Sequence, residues 1–471
     1  MLYRGFFGLL TLLCLFPMCS MAEQKEATLG WKNLFDGTTL KGWHRIGGAA
    51  RYHVEKGVVV GTAVPGTQNS FLATKQHYGD FILEFETQIH PLLNSGVQFR
   101  SHSRDDFNNG RVHGYQIEID GSSRSWSGGI YEEGRRGWLY NLNRNPQARQ
   151  AFRPSEWNHM RIEAVGTSIR TWVNGIPAAH LIDEVASEGY IALQVHSIAD
   201  DVTEKNLQVR WRNVRIRTDN LSTFLTPEDE AEQISYLNNR LTRRQLNEGW
   251  ELLWDGKTTA GWKGAKFSNF PEKGWDLSDG VLSVLSSGGG EARNGGDIIT
   301  TQEFSNFELE LDFKFSAGAN SGIKYFVDPN LLKGEGSAIG LEFQILDDEL
   351  HPDAKRGVSG NRTLGSLYDL ITATNLSVPA SAEKPIKGPG HWNRARIVVR
   401  GDHVEHWLNN TLVVNYRRGT QIFRALVAYS KYAKWKNFGE WEKGPILLQD
   451  HGDLVSFRSI KIKDFDKLRT Q

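Results

Sequence analysis

The sequence predicts an all-β protein built from two copies of an antiparallel sandwich or jelly roll. Three observations carry this. Segments such as FILEFETQI (81–89), FELELDFKF (307–315), LQVRWRNVRIR (207–217) and LVSFRSIKIK (454–463) alternate apolar and polar residues, the period of a strand with one buried face. Gly, Asn and Asp punctuate these segments, and Pro is rare within them. A series of motifs then recurs, in the same order, in the second half of the chain.

The N-terminus reads as a processing signal. Arg4 provides the positive charge, and the apolar run from Phe6 to Phe16 is too short to span a bilayer. Ser20-Met21-Ala22 fits a small-x-small cleavage site, so residues 1–22 are expected to be removed and the product to be secreted or periplasmic. A lipid anchor on Cys19 competes with this, but Pro17-Met18 stands where small residues are expected. Cys14 and Cys19 are the only two cysteines, so no disulfide or catalytic thiol is expected in the mature chain.

The first copy opens with WKNLFDGTTLKGW at Trp31, the second with WELLWDGKTTAGW at Trp250. NSGVQFR at Asn94 matches NSGIKYF at Asn320, and EWNHMRI at Glu156 matches HWNRARI at His391. TWVNG at Thr171 matches HWLNN at His406, and GYIALQVH at Gly189 matches GPILLQDH at Gly444. Between the copies, residues 226–248 read as a helical spacer: Thr226 can cap, Pro227 fits the first turn, and acids precede bases.

Lys plus Arg and Asp plus Glu both number 55, so charge balance gives no pull toward nucleic acid or an anionic membrane. No apolar run after the first reaches membrane length. The 15 Trp residues are read mainly as core, with sugar stacking as the alternative for any on a concave face.

These motifs are similar to those of the 3-keto-disaccharide hydrolase domains. The resemblance rests on NSGIKYF, LEFQILDDELHPDAK, GNRTLGSLYDLI, VEHWLNN, SKYAKW and ILLQDHGDLVSFRSI in the second copy. In the first it rests on NSGVQFR, GYQIEIDGSSRSWSGGIYEEGRRGWL and RWRNVRI. It implies two tandem concanavalin-like jelly rolls, over residues 28–218 and 248–466, joined by a linker at 219–247. It also implies action on a sugar already oxidised to a ketone at C3.

Side-chain alternation puts Glu342 and Gln344 on one face of GLEFQIL, and Gln116, Glu118 and Asp120 on one face of GYQIEID. An ordinary retaining glucanase needs two carboxylates ~5–5.5 Å apart on such a strand, and neither copy supplies the second Glu at that spacing. For a 3-keto sugar the chemistry is different. A base removes the acidified C2 hydrogen, a cation holds the enolate, the C1 substituent leaves, and water adds back. The second copy offers Glu342, His451, Lys324 and Arg362 for this; the first offers Glu118, His196, Arg100 and Arg135. Substrate contacts are expected from Gln344, Asp347, Tyr368 and Trp407 in the second copy. Gln116, Asp120, Tyr131, Arg135 and Trp138 are their counterparts in the first.

No cofactor is specified by a motif. The acidic run Asp347, Asp348, Glu349, His351, Asp353 reads either as a solvated loop or as oxygen ligands for a divalent cation such as calcium. No zinc spacing occurs, and SGGGEARNGG (287–296) reads as a flexible loop. The expected partner is a carbohydrate, bound either by an enzyme cleaving 3-keto glycosides or by a non-catalytic tandem lectin.

Overall fold

The structure, a computed structural model, describes residues 30–204, 207–227, 231–331, 336–378, 381 and 383–469. The expected signal segment, with Cys14 and Cys19, lies outside the described residues. Among the described residues, no helix is long and apolar enough to cross a membrane.

Each copy is a two-sheet sandwich. Among the described residues, a nine-stranded sheet faces a seven-stranded one in the first, and an eight-stranded sheet faces a five-stranded one in the second. The apolar positions predicted from alternation fill the space between. Phe81, Leu83 and Phe85 meet Val97, Phe99, Ile117 and Ile119 in the first core. Phe307, Leu309, Leu311 and Phe313 meet Ile323, Tyr325, Phe343 and Ile345 in the second.

The repeated motifs build the same local structures twice. Asp36 accepts from Thr38 and Thr39 backbone N–H at 2.8 and 2.6 Å, and Asp255 from Lys257 and Thr258 at 2.8 and 2.7 Å. Each turn returns a Trp to the core. Trp43 Nε1 donates to the Leu34 carbonyl and Trp262 Nε1 to that of Leu253. The EWN and VNG motifs meet as an amide pair, Asn174 Nδ2 donating to Asn158 Oδ1 at 2.8 Å. The second copy repeats the pair with Asn409 and Asn393 at 2.8 Å.

The polar faces of the larger sheets are less exposed than alternation suggests. Glu163 and Arg170 lie beneath the segment after the first domain, with Thr226 Oγ1 donating to Glu163 at 2.7 Å and Arg170 donating to the Thr226 carbonyl at 2.9 Å. In the second copy, buried Arg394 pairs with Asp312 at 2.8 Å and with Glu310 at 3.3 Å, and donates across to the Ser235 carbonyl. Cross-domain bonds continue from Asn410 Nδ2 to the Leu139 carbonyl and from Asn143 Nδ2 to Thr411 Oγ1. Charges stripped of water here keep paired partners, which burial demands.

The spacer, expected to be at least partly helical over 226–248, is so near its end, while its middle takes another form. Among its described residues, only Arg243–Asn247 is helical, capped by a reciprocal Thr242–Gln245 box. Gln233–Ser235 instead forms a strand that pairs parallel to Ile176–Ile182 and extends the nine-stranded sheet. Ile234 enters the first core at 3% exposure, and that burial outweighs helix propensity. Ile234→Ala should therefore cost ~2–4 kcal/mol and lower the thermal midpoint of the first domain by roughly 5–10 °C. An unchanged melting curve would show that the strand is not docked in solution.

Candidate functional site

The smaller sheet of each copy presents its polar face to a cleft. In the second domain, the Asn320–Asp328 strand pairs antiparallel with Ile339–Leu346, setting Gly322 opposite Gln344 and Lys324 opposite Glu342. Ile323, Tyr325, Phe343 and Ile345 point into the core, so Asn320, Lys324, Glu342 and Gln344 share the other face. They line a pocket of about 530 Å³, joined by Tyr368, Gln449, His451 and Glu291.

The glycine of the Asn-Ser-Gly motif has a specific reason to be there. A Cβ on Gly322 would lie 2.3 Å from Glu342 Oε1, and one on Gly96 would lie 2.3 Å from Cδ of Gln116. In each copy, a side chain from the neighbouring strand lies across the space that a larger residue would fill. In the second copy that side chain is a carboxylate beside Lys324; in the first it is an amide beside Gln98, which donates to Gln116 Oε1 at 2.7 Å.

This corrects the pairing of Lys324 with Arg100. Gln98, opposite Gln116, holds the place of Lys324, which stands opposite Glu342. Arg100 matches Phe326: both have φ of 47° and both sit where the register shifts in a bulge. The bulge takes Arg100 out of the cleft. Its buried guanidinium holds the Gly79 and Gly166 carbonyls and Asp80.

Lys324 is 4% exposed. Its Nζ donates to the Ala338 carbonyl at 3.2 Å and lies 3.9 Å from Asp297 and 4.0 Å from Glu291. Burial alone would depress its pKa, but Asp297, Glu342 and Glu291 together hold it above the ordinary lysine value. Burial pushes Asp297 up to about 7, against the pull of Lys324. With its amide nitrogen turned toward acceptors, Gln344 donates to Glu342 Oε1 at 3.0 Å. His451 makes no hydrogen bond to a described residue and sits edge-on to His351, ring centres 6.3 Å apart.

One wall comes from a segment that residue chemistry alone did not single out. Thr420 caps the Gln421–Ala428 helix, and Ser430 caps the short turn Lys431–Lys434. Phe438 stacks on Tyr432 at 4.0 Å, fixing Lys431, Tyr432, Lys434 and Trp435 over the pocket. The signal was the SKYAKW motif, which carries no recognisable chemical spacing. Glu291, in the glycine-rich stretch read as a flexible loop, also reaches the pocket and accepts from Gln449.

Three residues expected in the second site do other work. Arg362 does not line the pocket; it binds Asp369 at 2.7 Å and Asp353 at 3.0 Å, behind Tyr368. Tyr368 does line the pocket, its hydroxyl donating to Asp353 Oδ2 at 2.6 Å. Asp347 is buried and accepts backbone N–H from Gly318, Glu349 and Leu350, closing the turn after the strand. Trp407 lies on the opposite sheet, where its indole N–H donates to Glu405 and Arg396 covers its ring.

The acidic run is likewise committed: Asp348 binds Lys384 and the Leu364 N–H, and Asp353 binds Arg362 and Tyr368. Among the described residues, no group of three or more His, Cys, Asp or Glu is placed to hold a metal ion.

The first domain's cleft is wider, about 1140 Å³, and includes Gln116, Glu118, Asp120, Tyr131, Trp138 and His196. Glu118, 3% exposed, accepts from Asn94 at 2.6 Å, Gln116 at 3.1 Å and Arg124 at 2.9 Å. Arg124 also binds Asp120 at 2.8 Å and lies 4.7 and 5.1 Å from the ring centres of Trp126 and Trp138. In this cleft Arg124 is a residue to which the sequence reading gave no role. Arg135 lines a different cleft, at the domain junction. His196 Nδ1 faces the Ser197 carbonyl at 2.9 Å.

A family model described as the 3-keto-alpha-glucoside-1,2-lyase-like domain matches residues 30–217 and again 249–463. The chain belongs to that family, in two copies. It is 39% identical over 239 residues to a 3-keto-disaccharide hydrolase of Bacteroides thetaiotaomicron, covering 46% of this chain and 79% of that one. A provisionally assigned glycosyl hydrolase of Parabacteroides distasonis, known as a crystal structure, is 28% identical with a TM-score of 0.41, over 48% of this chain and 99% of that one. A carbohydrate-binding module of Bacillus subtilis is 17% identical with a TM-score of 0.30, over 40% of this chain and all of that one.

Two predictions follow from the geometry. Gly322→Ala should force the Glu342 carboxylate aside while leaving the core untouched. Catalytic turnover should fall about tenfold or more with little change in melting; full activity would mean that this carboxylate position does not matter. The second concerns pH. Burial raises Glu118 from 4.5 to about 7, against Arg124 and the amide donors. The folded state thus binds this proton more tightly than the unfolded chain. The resulting stabilisation is full below pH 4.5 and is lost as pH rises through 7. Glu118→Gln, with Asp120 left to hold Arg124, should therefore melt higher relative to wild type at pH 8 than at pH 4. A pH-independent difference would contradict the shift.

Proposed function

We propose that the protein is an exported carbohydrate-active hydrolase whose second domain cleaves glycosidic bonds of 3-keto sugars, and whose first domain binds saccharide. The observation that carries this is the contrast around the shared glycine. The second site sets a carboxylate, Glu342, beside a buried lysine; the first sets Gln116 beside Gln98 in those places. Family membership and the curated relative support the substrate class. The apolar run from Phe6 to Phe16 supports export.

A ketone at C3 acidifies the hydrogen on C2. Glu342 takes that proton, and the C2–H electron pair passes into an enolate whose negative charge resides on the C3 oxygen. Lys324 places positive charge on the wall the sugar meets, lowering the barrier to that charge. The enolate expels the C1 substituent, whose oxygen takes a proton from His451. Water then adds at C1, passing its proton to His451 and so restoring it, and Glu342 returns a proton to C2, so the sum is hydrolysis. Arg362 does not touch the sugar in this scheme. Through Asp353 it orients Tyr368, a wall of the pocket.

In the first domain, Glu118 is held by Arg124 and two amides. Its remaining lone pairs can accept from sugar hydroxyls, and Trp138 supplies an aromatic face nearby.

Purified protein incubated with 3-keto-trehalose and a 3-keto-β-glucoside should release 3-keto-glucose from at least one of them. Glu342→Gln should depress turnover about 10²-fold or more, while Glu118→Gln leaves it within a few fold. Turnover abolished by Glu118→Gln and unaffected by Glu342→Gln would move catalysis to the first domain. Sugar binding with no release from either substrate would support a tandem lectin instead.

A further inference from the structure

A third cleft, of about 1150 Å³, runs along the junction of the two domains. Its lining includes six cationic side chains, Arg111, Arg135, Arg136, Lys387, Arg394 and Arg458, and one carboxylate, Asp312. The other carboxylates that balance these cations lie behind them. Glu132 and Asp183, which hold Arg136 from its inner side, are 0% and 1% exposed. The wall that a ligand meets is therefore positive, although the chain as a whole is neutral.

Three of the cations are incompletely used. Arg135 Nε has no hydrogen-bond partner among the described residues, and its Nη2 lies 2.7 Å from Glu132 Oε1 without hydrogen-bond geometry. Arg458 reaches Asp312 only at 3.5 Å and sits over Trp392, 4.1 Å from its ring centre. The Lys387 amine makes no hydrogen bond to a described residue, although Asp312 and Glu132 attract it from a distance. Burial lowers it to about 8; Asp312 opposes this, and the like charges of Arg136 and Arg394 add to it. An arrangement of buried donors crowded by like charge is one that an oxyanion would complete.

Position supplies the second half of the argument. Arg111 and Tyr131 line both this cleft and the Glu118 cleft of the first domain, so the two are neighbours along one surface. We infer that the junction binds the carboxylate or sulfate group of an acidic saccharide, on Arg135, Lys387 and Arg458, while the neighbouring sugar residues run past Tyr131 toward Glu118. Arginine forks match either group in a bidentate manner, and domain junctions are a common place for such sites. The inference goes beyond cleavage in the second domain and does not depend on it.

Calorimetry on the full chain tests it with four probes: a glucuronate-containing disaccharide, a monosulfated disaccharide, neutral lactose and inorganic sulfate. At low salt, at least one acidic disaccharide should bind about tenfold tighter than lactose, or more, and the advantage should shrink in 0.5 M salt. Whichever acidic probe binds tighter identifies the group. Lys387→Glu should abolish the advantage while leaving cleavage of a 3-keto substrate within twofold, and Arg135→Gln serves if the first variant fails to fold. Equal binding of acidic and neutral disaccharides would overturn the inference. So would an advantage that survives both substitutions, or inorganic sulfate binding as tightly as the acidic disaccharides.

Discussion

One missing side chain organises both concave faces. The glycine of each Asn-Ser-Gly motif leaves a gap in the sheet surface, and a polar side chain from the next strand lies in it. The surrounding residues depend on that placement. Glu342 comes to lie among Lys324, Gln344 and Tyr368 because Gly322 has no Cβ, and the paired strands hold these positions by backbone bonding rather than by a flexible loop. A polar group fixed on a rigid sheet loses little freedom when a ligand arrives, which suits it to chemistry or to tight recognition.

Duplication kept that frame and changed its content. The two-sheet cores, the Asp turns, the returning Trp residues and the Asn–Asn pairs recur in both copies. The groups around the glycine do not. Carboxylate and amide trade places, and a lysine becomes Gln98. The pockets also differ in enclosure: Tyr432 and Trp435 close over the second site, while the first is a wider cleft braced by Arg124. The two copies are further tied into one object by the buried Arg144–Glu308 pair, by cross-domain hydrogen bonds and by a spacer strand that joins the first domain's sheet.

The core and the duplication were legible because they rest on short-range rules. Period-two alternation placed Phe343 inward and Glu342 outward, and the repeated motifs placed one copy upon the other. The placement of Arg100 was not legible. A bulge adds a residue without changing the strand's composition, so the register after it cannot be counted from a motif before it. Arg362, Asp347 and Trp407 have the right chemistry for a sugar site, but Arg362 and Asp347 are taken up by loop and turn partners that no strand alternation reveals, and Trp407 lies on the opposite sheet. The wall formed by Lys431 to Trp435 depends on a packed helix and a stacked Phe438, neither of which leaves a spacing signal. The spacer strand was missed because burying Ile234 against the first core overrides a helical pattern.

The central claim is that a carboxylate in the second domain opens the glycosidic bond by first breaking a C–H bond at C2. The direct measurement is the reaction of the full chain with a 3-keto glucoside in deuterium oxide, with the released 3-keto-glucose followed by NMR from the earliest turnovers. The account predicts deuterium at C2 of the product at a level well above that of 3-keto-glucose held in enzyme-free solvent for the same time. Product that keeps its original C2 hydrogen, from a substrate whose turnover is also not slowed by deuterium at C2, would contradict it, because elimination must break that bond even where the same proton is handed back.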